Sequence, residues 1–424
     1  MTNEARNRAI VRGTALVLAT AVALTGTGAA AVADRAQQAG PGGSTVNGAL
    51  QREVARHVLD AGPPGYLARI DNGRRVHTLA AGVADRNTGR PITVRDQFEA
   101  GSNTKTFTAV LILQQVDRGK LALDAPVERY LPGVVPNGSN ITVRMLLNHS
   151  SGLFSYTGDP DFFVDMEKDP QHVHTDAELL AIAFGHEPYF PPGKGWQYSN
   201  TNYTLLGMIL HKQTGKSMPA LVKERITGPL GLKRTYFADP RATNTGPGYA
   251  RGYAITYASG TPRYTDTSSW PLGGWAGAAG AMISTADDLS RFFSAVLQAK
   301  LFSPKQLKQM KTTVPFPAEF PMQGGYGLGL IRTDSPCGTV WGHGGDTMGH
   351  HSTAVATEDG RRTAVTDTTG EPADLTENPG VQRYYQAILF GADTVTICQM
   401  LGKPAPAEVL DNLRGTTPAS SVTK

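Results

Sequence analysis

The sequence predicts an α+β fold in which an antiparallel sheet is flanked by helices and interrupted by an inserted, mainly helical lobe. Three observations predict it. A segment with helical spacing, 46–61, precedes two strand-like segments that meet at Asp71-Asn72-Gly73, a typical hairpin signal. The apolar run from Phe107 to Leu113 indicates a buried helix. Further strand-like segments follow residue 324, so we expect a discontinuous sheet domain at 34–119 and 265–400 around a lobe at 120–264.

The elements follow from apolar spacing and turn residues. Segment 46–61 ends at Pro63-Pro64, and strands are expected at 66–70 and 75–80. The buried helix after Ser102 stops at Gly119. Within the lobe, helical spacing predicts helices at 142–147, 176–184, 201–214 and 217–226. The remaining predictions are helices at 286–299 and 381–389 and strands at 325–331, 339–341, 352–357 and 362–366.

The two ends of the chain differ from the rest. Basic Arg6, Arg8 and Arg12 precede the apolar stretch 15–24, and Ala31-Val32-Ala33 fits a cleavage site. The pattern predicts a signal peptide at 1–33, cleavage near Ala33 and a secreted protein with no stable membrane anchor; an uncleaved anchor is the alternative. Residues 401–424 are expected to form a C-terminal tail.

Composition excludes several classes of protein. Charged residues make up 18% of the 424 residues and hydrophobic ones 40%, which indicates a globular chain. The net charge of +4 includes no basic run of the kind that binds nucleic acid. Cys337 and Cys398 are the only cysteines and favour a disulfide over two buried thiols in an exported protein. They do not suggest a metal site, and no cofactor is expected.

Ser102 and Lys105 form a Ser-x-x-Lys pair at the start of the buried helix. Residues three apart share a helix face, so a hydroxyl lies beside an amine where backbone N–H groups favour negative charge. A serine nucleophile needs such a base and such donors. The alternative is an N-cap serine with a solvated lysine, because the pair alone is common.

Two later segments carry further candidates. Tyr198 and Asn200 open the helix 201–214, where a rigid phenol could exchange a proton if a neighbouring cation lowered its pKa, and an amide could meet a substrate carbonyl. An N-cap Asn beside a packing Tyr is the alternative. His343 follows a predicted strand inside a glycine cluster that would let a ligand approach the backbone. Its alternative is a solvated histidine in a turn.

In this order, Ser102-x-x-Lys105, Tyr198-x-Asn200 and His343-x-Gly345 resemble the motifs of the serine β-lactamase and penicillin-binding protein superfamily. The resemblance covers nearly all of the chain after the predicted signal peptide. It is strongest to the class C β-lactamase-related group, especially the secreted actinobacterial D-alanyl-D-alanine carboxypeptidases. Supporting stretches begin at Leu146, Ala279 and Tyr326. It implies a β-lactamase/transpeptidase-like fold.

The resemblance also implies roles for these residues. Ser102 becomes acylated, also by β-lactams, while Lys105 and Tyr198 share a coupled titration, and which of the two is the base stays open. Asn200 orients the substrate amide, and His343 supports Tyr198. The implied oxyanion donors are the backbone N–H groups of Ser102 and Asp346, with Gly345 beside them. Trp275 would line the cleft or, equally, pack in the core. Cys337 and Cys398 match the family's disulfide.

The sequence departs from the carboxypeptidases where they bind a terminal carboxylate. Ile331 occupies the position of their arginine, and Arg332 next to it would face away on a strand. Gly344 replaces a threonine, and the charge of Asp346 would repel a carboxylate. The family default, a D-alanyl-D-alanine carboxypeptidase acting on peptidoglycan peptides, therefore stands beside an esterase, D-amino-acid amidase or aminopeptidase, or weak β-lactamase. A non-catalytic binding module is the third hypothesis.

Overall fold

The computed structural model describes residues 46–243, 246–258, 261–320, 322–373 and 378–414. The predicted signal peptide, 1–33, lies outside these residues. Fifteen strands occur in this part of the chain: β1 Gly65–Asp71, β2 Val76–Asp85, β3 Arg90–Pro91, β4 Phe98–Gly101, β5 Tyr236–Phe237, β6 Tyr253–Ala258, β7 Thr261–Asp266, β8 Met282–Ser284, β9 Val314–Pro315, β10 Gly324–Tyr326, β11 Ile331–Ser335, β12 Gly338–Asp346, β13 His351–Ala356, β14 Thr363–Thr368 and β15 Glu371–Pro372.

Fourteen α-helices accompany the strands in the described ranges: α1 Gly48–Asp60, α2 Thr104–Asp117, α3 Val143–Leu147, α4 Phe162–Lys168, α5 Asp176–Phe184, α6 Asn200–Thr214, α7 Met218–Val222, α8 Gly228–Leu230, α9 Gly277–Gly280, α10 Ala286–Leu297, α11 Pro304–Met310, α12 Pro379–Tyr385, α13 Thr394–Leu401 and α14 Ala407–Arg414. The segments Lys223–Thr227 and Gln386–Asp393 are π-helical. None of the helices in the described ranges has both the length and the apolar character needed to cross a bilayer.

The main sheet has nine strands in the order β3-β2-β1-β14-β13-β12-β11-β10-β9, and every pairing in it is antiparallel. Helices α2 and α10 pack on one face, where Phe107 and Phe292 stack at 3.6 Å between ring centroids. Helix α1 and the helices after residue 378 cover the other face. Burial on both faces confirms the predicted α+β arrangement of an antiparallel sheet between helices.

Two predicted strands differ from the structure. The single strand expected at 325–331 is two strands, β10 and β11, because the chain reverses where Gly327 N donates to Leu330 O at 2.8 Å. The strand expected at 339–341 extends through β12 to Asp346, so His343 lies within a strand rather than after one. The sequence did not predict this extension, because the glycines of β12 lack the β-branched and aromatic side chains that are typical of strands.

The region 120–264 is less purely helical than expected. It holds α3 to α8, but it also contains β5 and β6. Strand β5 pairs with β8 in a small sheet that also includes β4, and β6 forms a hairpin with β7. Strand β6 also runs parallel to β15. Alternating apolar residues in β6 face the core. The alternation covers only a few residues between turn residues, so the sequence pattern did not predict this strand.

The predicted tail, 401–424, is corrected in its first half. Helix α14 buries Val409 and Leu413 against the segment Gln386–Asp393 and α1, so the chain has an apolar anchor as far as Arg414. Residues 415–424 lie outside the described residues. The predicted disulfide is confirmed: Cys337, in the turn between β11 and β12, is bonded to Cys398 of α13, with Cα atoms 5.2 Å apart.

Candidate active site

Ser102 lies in the tight turn between β4 and α2. Gly101 ends β4 with a φ of 52°, and α2 begins two residues after Ser102. The hydroxyl of Thr104 donates to Gly101 O at 2.6 Å and accepts from Met282 N at 2.9 Å, which fixes the turn to β8. Helix α2 is buried through its apolar run, so the turn rests on a rigid element.

Lys105 is fully buried on the first turn of α2. Its Nζ lies 3.0 Å from Ser102 Oγ and donates to Ala279 O, in α9, at 2.8 Å. Burial lowers the pKa of Lys105 well below its ordinary value, and the charge of Asp346 only partly opposes this shift. The neutral amine is therefore favoured, and its lone pair can accept the proton of Ser102.

Tyr198 completes a compact group with Ser102 and Lys105. Its ring centroid lies 4.7 Å from Lys105 Nζ, and its buried hydroxyl has no hydrogen-bond partner of normal geometry within the described residues. Burial raises the pKa of Tyr198 well above its ordinary value, with the Ser102 hydroxyl acting in the opposite direction. The sequence interpretation expected a cation to lower this pKa. Instead burial disfavours the charged forms of both Lys105 and Tyr198, so the phenol keeps its proton.

His343 points from β12 toward Tyr326 rather than bonding to Tyr198. Its Nδ1 lies 2.5 Å from Gly344 O, so Nδ1 carries the proton, and Nε2 accepts from the Tyr326 hydroxyl at 2.8 Å. Burial, with a smaller effect from Lys105, lowers the pKa of His343 to about 3. The expected support of Tyr198 is therefore not a hydrogen bond, because both ring nitrogens are engaged elsewhere.

The end of β12 offers a backbone N–H beside Ser102. Thr347 N donates to His350 O at 2.9 Å, and hydrogen-bonded pairs alternate along antiparallel strands, so the N–H of Asp346 points away from β13. It points toward the turn at Gly101, where a Cβ would lie 2.7 Å from Asp346 N. Gly345 also packs closely against this turn, because a Cβ added to Gly345 would lie 2.0 Å from Ala100 O.

Two predicted site residues lie farther from this group. Asn200 begins α6, and its Nδ2 donates to Thr157 Oγ1 at 2.9 Å. Trp275 is buried against Phe162 and Phe163, with ring centroids 6.4 and 6.1 Å away. Neither is among the residues that line the cavity described below, and for Trp275 the surroundings favour the packing alternative.

Sequence reasoning missed two residues of the site, His149 and Tyr326. The ring of His149 lies 4.3 Å from that of Tyr198, and its Nδ1 accepts from Ser199 N at 3.1 Å. Burial lowers the pKa of His149 well below its ordinary value, so the ring is neutral. Both residues stand in stretches that supported the family resemblance, and that was their only signal, since neither has a motif of its own.

A cavity of about 700 Å³ opens at Ser102, Tyr198 and His343. It extends between β11–β13 and the helices after residue 378, where its lining is mostly apolar. Its acidic lining residues are Asp334, Asp346, Asp393 and Glu408, and neither lysine nor arginine lines it within the described residues. Ile331 forms part of its wall, whereas Arg332 pairs with Asp334. The predicted absence of a carboxylate-binding arginine therefore agrees with the cavity.

A chain of ionisable side chains borders this cavity. His351 lies between two carboxylates: its Nδ1 bonds to Asp346, and its Nε2 is 3.6 Å from Asp393. Burial alone would lower the pKa of His351, but the charges of Asp346 and Asp393 and the hydrogen bond to Asp346 raise it well above its ordinary value. Burial and the charge of Asp346 raise the pKa of Glu371 to about 8. The group therefore holds three carboxyl groups around one imidazole.

Known proteins match this chain over most of its length. A family model described as Beta-lactamase matches residues 51–385. A D-stereospecific amidohydrolase from Streptomyces sp. has a TM-score of 0.70 and 37% identity, covering 80% of this chain and 98% of that one. The D-amino acid amidase from Ochrobactrum anthropi SV3, complexed with L-phenylalanine amide, has a TM-score of 0.68 and 30% identity, covering 81% and 98%. Penicillin-binding protein 4* of Bacillus subtilis (strain 168) is 29% identical over 80% of this chain and 74% of that protein.

Proposed function

The chain belongs to the beta-lactamase family, and from that premise we propose that it is a serine hydrolase that forms an acyl-enzyme on Ser102. The observation that carries the proposal is the 3.0 Å separation of Lys105 Nζ and Ser102 Oγ at a fully buried position. A buried amine next to a hydroxyl is costly for stability unless it remains neutral. A neutral amine in this place can act as a general base.

The reaction follows from these positions. Ser102 Oγ attacks the substrate carbonyl carbon while its proton passes to Lys105 Nζ. The backbone N–H groups of Ser102 and Asp346 stabilise the negative oxygen. The bond to the leaving nitrogen or oxygen then breaks, and the Tyr198 hydroxyl gives that atom a proton, which Lys105 replaces. Water repeats the sequence on the ester and releases the acid.

For the substrate, we propose an amide or ester without a free carboxylate beside the scissile bond. The cavity presents carboxylates and no lysine or arginine from the described residues, and Ile331 is apolar. A terminal carboxylate would be repelled there and would lack a partner. The similarity to a D-stereospecific amidohydrolase and a D-amino acid amidase supports an amide of a D-amino acid. A carboxypeptidase acting on peptidoglycan peptides is the second candidate, supported by the similarity to a penicillin-binding protein.

A fluorescent penicillin tests the nucleophile. We expect it to label the wild-type protein covalently, at a rate slowed by the carboxylate that penicillins carry beside their reactive amide, and to leave Ser102→Ala unlabelled, with Ser303→Ala, a serine outside the cavity, as the control. Labelling of Ser102→Ala would exclude this residue as the nucleophile. Turnover of D-alanine amide and of a peptide ending in D-Ala-D-Ala then separates the two substrate classes. A higher kcat/KM for the peptide would contradict the preference proposed here.

We also propose that the protein is exported. The signal pattern at 1–33 predicts it, and the Cys337–Cys398 disulfide supports it, because such bonds persist in oxidising compartments. An exported hydrolase would meet amides outside the cell or at the cell wall.

A further inference from the structure

We propose that Asp346 binds a free α-ammonium group of the substrate, so that the substrates are amides and esters of amino acids whose amino group is unblocked. This inference rests on the proposed function, because it assumes acylation at Ser102. It adds a specificity residue to that function. The argument uses the direction of the Asp346 side chain, the charge around it, and the length of an aminoacyl group.

The side chain of Asp346 lies on the face of β12 turned toward the C-terminal helices. Its partner across the sheet is His351, which in turn approaches Asp393 of the segment Gln386–Asp393. Successive residues of a strand alternate faces, so the next side-chain position on this face is Gly344. Since Gly344 has no side chain, the space in front of Asp346 stays open and joins the cavity that starts at Ser102.

The carboxylate of Asp346 is only partly satisfied. Among the described residues, one side chain donates to it, His351, and that bond involves one of its two oxygens. The side chain keeps 13% of its surface exposed, and Asp346 lines the cavity. The second oxygen has no side-chain donor among the described residues. An ammonium group would supply up to three N–H donors and a positive charge.

The charges near Asp346 favour a cation. His351 is a single base between two carboxylates, those of Asp346 and Asp393. The neighbouring Glu371 is largely protonated at neutral pH, since its pKa is raised to about 8. Burial lowers the pKa of Lys105 well below its ordinary value and that of His343 to about 3, so both groups offset these carboxylates less than exposed cations would. Asp334 is already paired with Arg332 and does not compete strongly for a cation.

The position of Asp346 determines which charged group of the substrate its carboxylate can reach. Its own backbone N–H is the proposed donor to the carbonyl oxygen, so its side chain begins beside the reacting carbonyl. In an aminoacyl group the α-nitrogen is two bonds from that carbonyl carbon. An α-ammonium therefore lies within reach of the carboxylate, whereas blocking it with an acetyl group removes the charge and adds bulk.

The test compares three p-nitroanilides on purified protein: D-alanine p-nitroanilide, its N-acetyl derivative, and propionic acid p-nitroanilide, which lacks only the amine. We expect the wild-type kcat/KM for the free amine to exceed both others by about ten- to a hundredfold, as for one charge-assisted hydrogen bond. In Asp346→Asn the preference should fall to less than about threefold. Asp334→Asn, which removes the carboxylate already paired with Arg332, should keep the wild-type preference.

The outcomes separate this inference from the proposed function. Equal rates for the three anilides in the wild type, or an unchanged preference in Asp346→Asn, would overturn the role of Asp346 while Ser102-dependent turnover upheld the function. Penicillin labelling of Ser102 without turnover of any anilide would also overturn it. Turnover that persists in Ser102→Ala would instead refute the function itself. The wild-type comparison stands even if Asp346→Asn does not fold.

Discussion

At the scale of single residues, the charge state of Lys105 decides what Ser102 can do. Its ammonium form would need several hydrogen-bond acceptors, but the structure gives Nζ a hydroxyl and one carbonyl. Burial therefore favours the uncharged amine of Lys105, beside a Tyr198 phenol that keeps its proton and a neutral His343 ring. Burial rather than a nearby cation sets all three states, because desolvation is the largest cause of each shift.

The Lys105→Met substitution tests this assignment. We expect acylation by fluorescent penicillin to slow by about 10²- to 10⁴-fold, the usual effect of losing a general base. The thermal midpoint should fall little, since methionine fills the same buried space without an amine. In the wild type, acylation should decline only as the pH falls through the lowered pKa of Lys105. Acylation at the wild-type rate in Lys105→Met would contradict the role; Lys120→Met, on the surface, is the control.

Glu371 gives a pH dependence of stability at the same scale. Its pKa is about 8 in the folded protein against an ordinary 4.5, so the folded state holds a proton that the unfolded chain releases above about pH 4.5. This contribution to stability is fully present below pH 4.5 and is lost as the pH rises through 8. Urea unfolding of the wild type and Glu371→Gln should therefore give similar free energies at pH 4 and a relative gain for the variant at pH 8. A difference independent of pH would contradict the shift.

At the scale of elements, β12 connects the sheet to the active site. Its residues alternate between the two faces, with His343 directed toward Tyr326 and Asp346 toward the C-terminal helices, and both side chains line the same cavity. Beyond Gly342 its outer edge is free of β11, because Gly342 pairs with Ile331, the first residue of β11. The turn that carries Ser102 occupies this edge, so a strand end and a helix start form one site.

Two neighbouring glycines of β12 provide a matched pair of variants. A Cβ on Gly345 would lie 2.0 Å from Ala100 O, whereas a Cβ on Gly344 would have ordinary contact, 3.8 Å from Ser352 O. Gly345→Ala should therefore push the Ser102 turn away and abolish penicillin labelling. Gly344→Ala should keep the thermal midpoint within about 2 °C, since the added methyl group clashes with no neighbouring atom. Equal labelling and equal melting of the two variants would show that this close approach does not matter.

At the scale of the whole molecule, the disulfide ties the far wall of the cavity to the sheet. Cys337 and Cys398 are 61 residues apart in sequence, and α13, which carries Cys398, also contributes Ile397 to the cavity. Closing a loop of this length stabilises the folded state by about 4 kcal/mol in the chain-entropy model. The bond thus fixes the helices that cover the Asp346 side of β12.

The Cys337→Ser/Cys398→Ser double variant tests that contribution. We expect its free energy of unfolding in urea to fall by about 2–4 kcal/mol, with the substrate preference weakened as the C-terminal helices loosen. Dithiothreitol should lower the stability of the wild type toward that of the variant and leave the variant unchanged. Identical unfolding curves for both proteins under oxidising conditions would contradict the expectation.

Export is the second prediction at this scale. A bacterial host that secretes the full chain should release a protein whose N-terminus is Asp34, because Ala31-Val32-Ala33 fits the cleavage site. N-terminal sequencing of the released protein measures this directly. The Ala33→Arg substitution, which places a large charge at the cleavage position, should block processing, whereas Asp34→Ala should not. Release with Met1 intact would exclude cleavage.

The sequence by itself determined much of the frame. Helical spacing located α5 and α10, because an apolar face repeats every three or four residues where a helix packs on a core, and a continuous apolar run located the fully buried α2. The two cysteines indicated their bond, and the ordered motifs at Ser102, Tyr198 and His343 indicated the family. These features are local in sequence or depend on residue identity, so one chain read alone contains them.

Only the tertiary structure decided the state and the use of these residues. The proton positions on Lys105, Tyr198 and His343 follow from burial by segments distant in sequence. The direction of the Asp346 N–H follows from the register of β12 with β13, and a one-residue change of register would reverse it. Charge and orientation depend on neighbours that folding brings together, and that is why the sequence named the residues of the site and, through the resemblance, their expected roles, but not their protonation or direction.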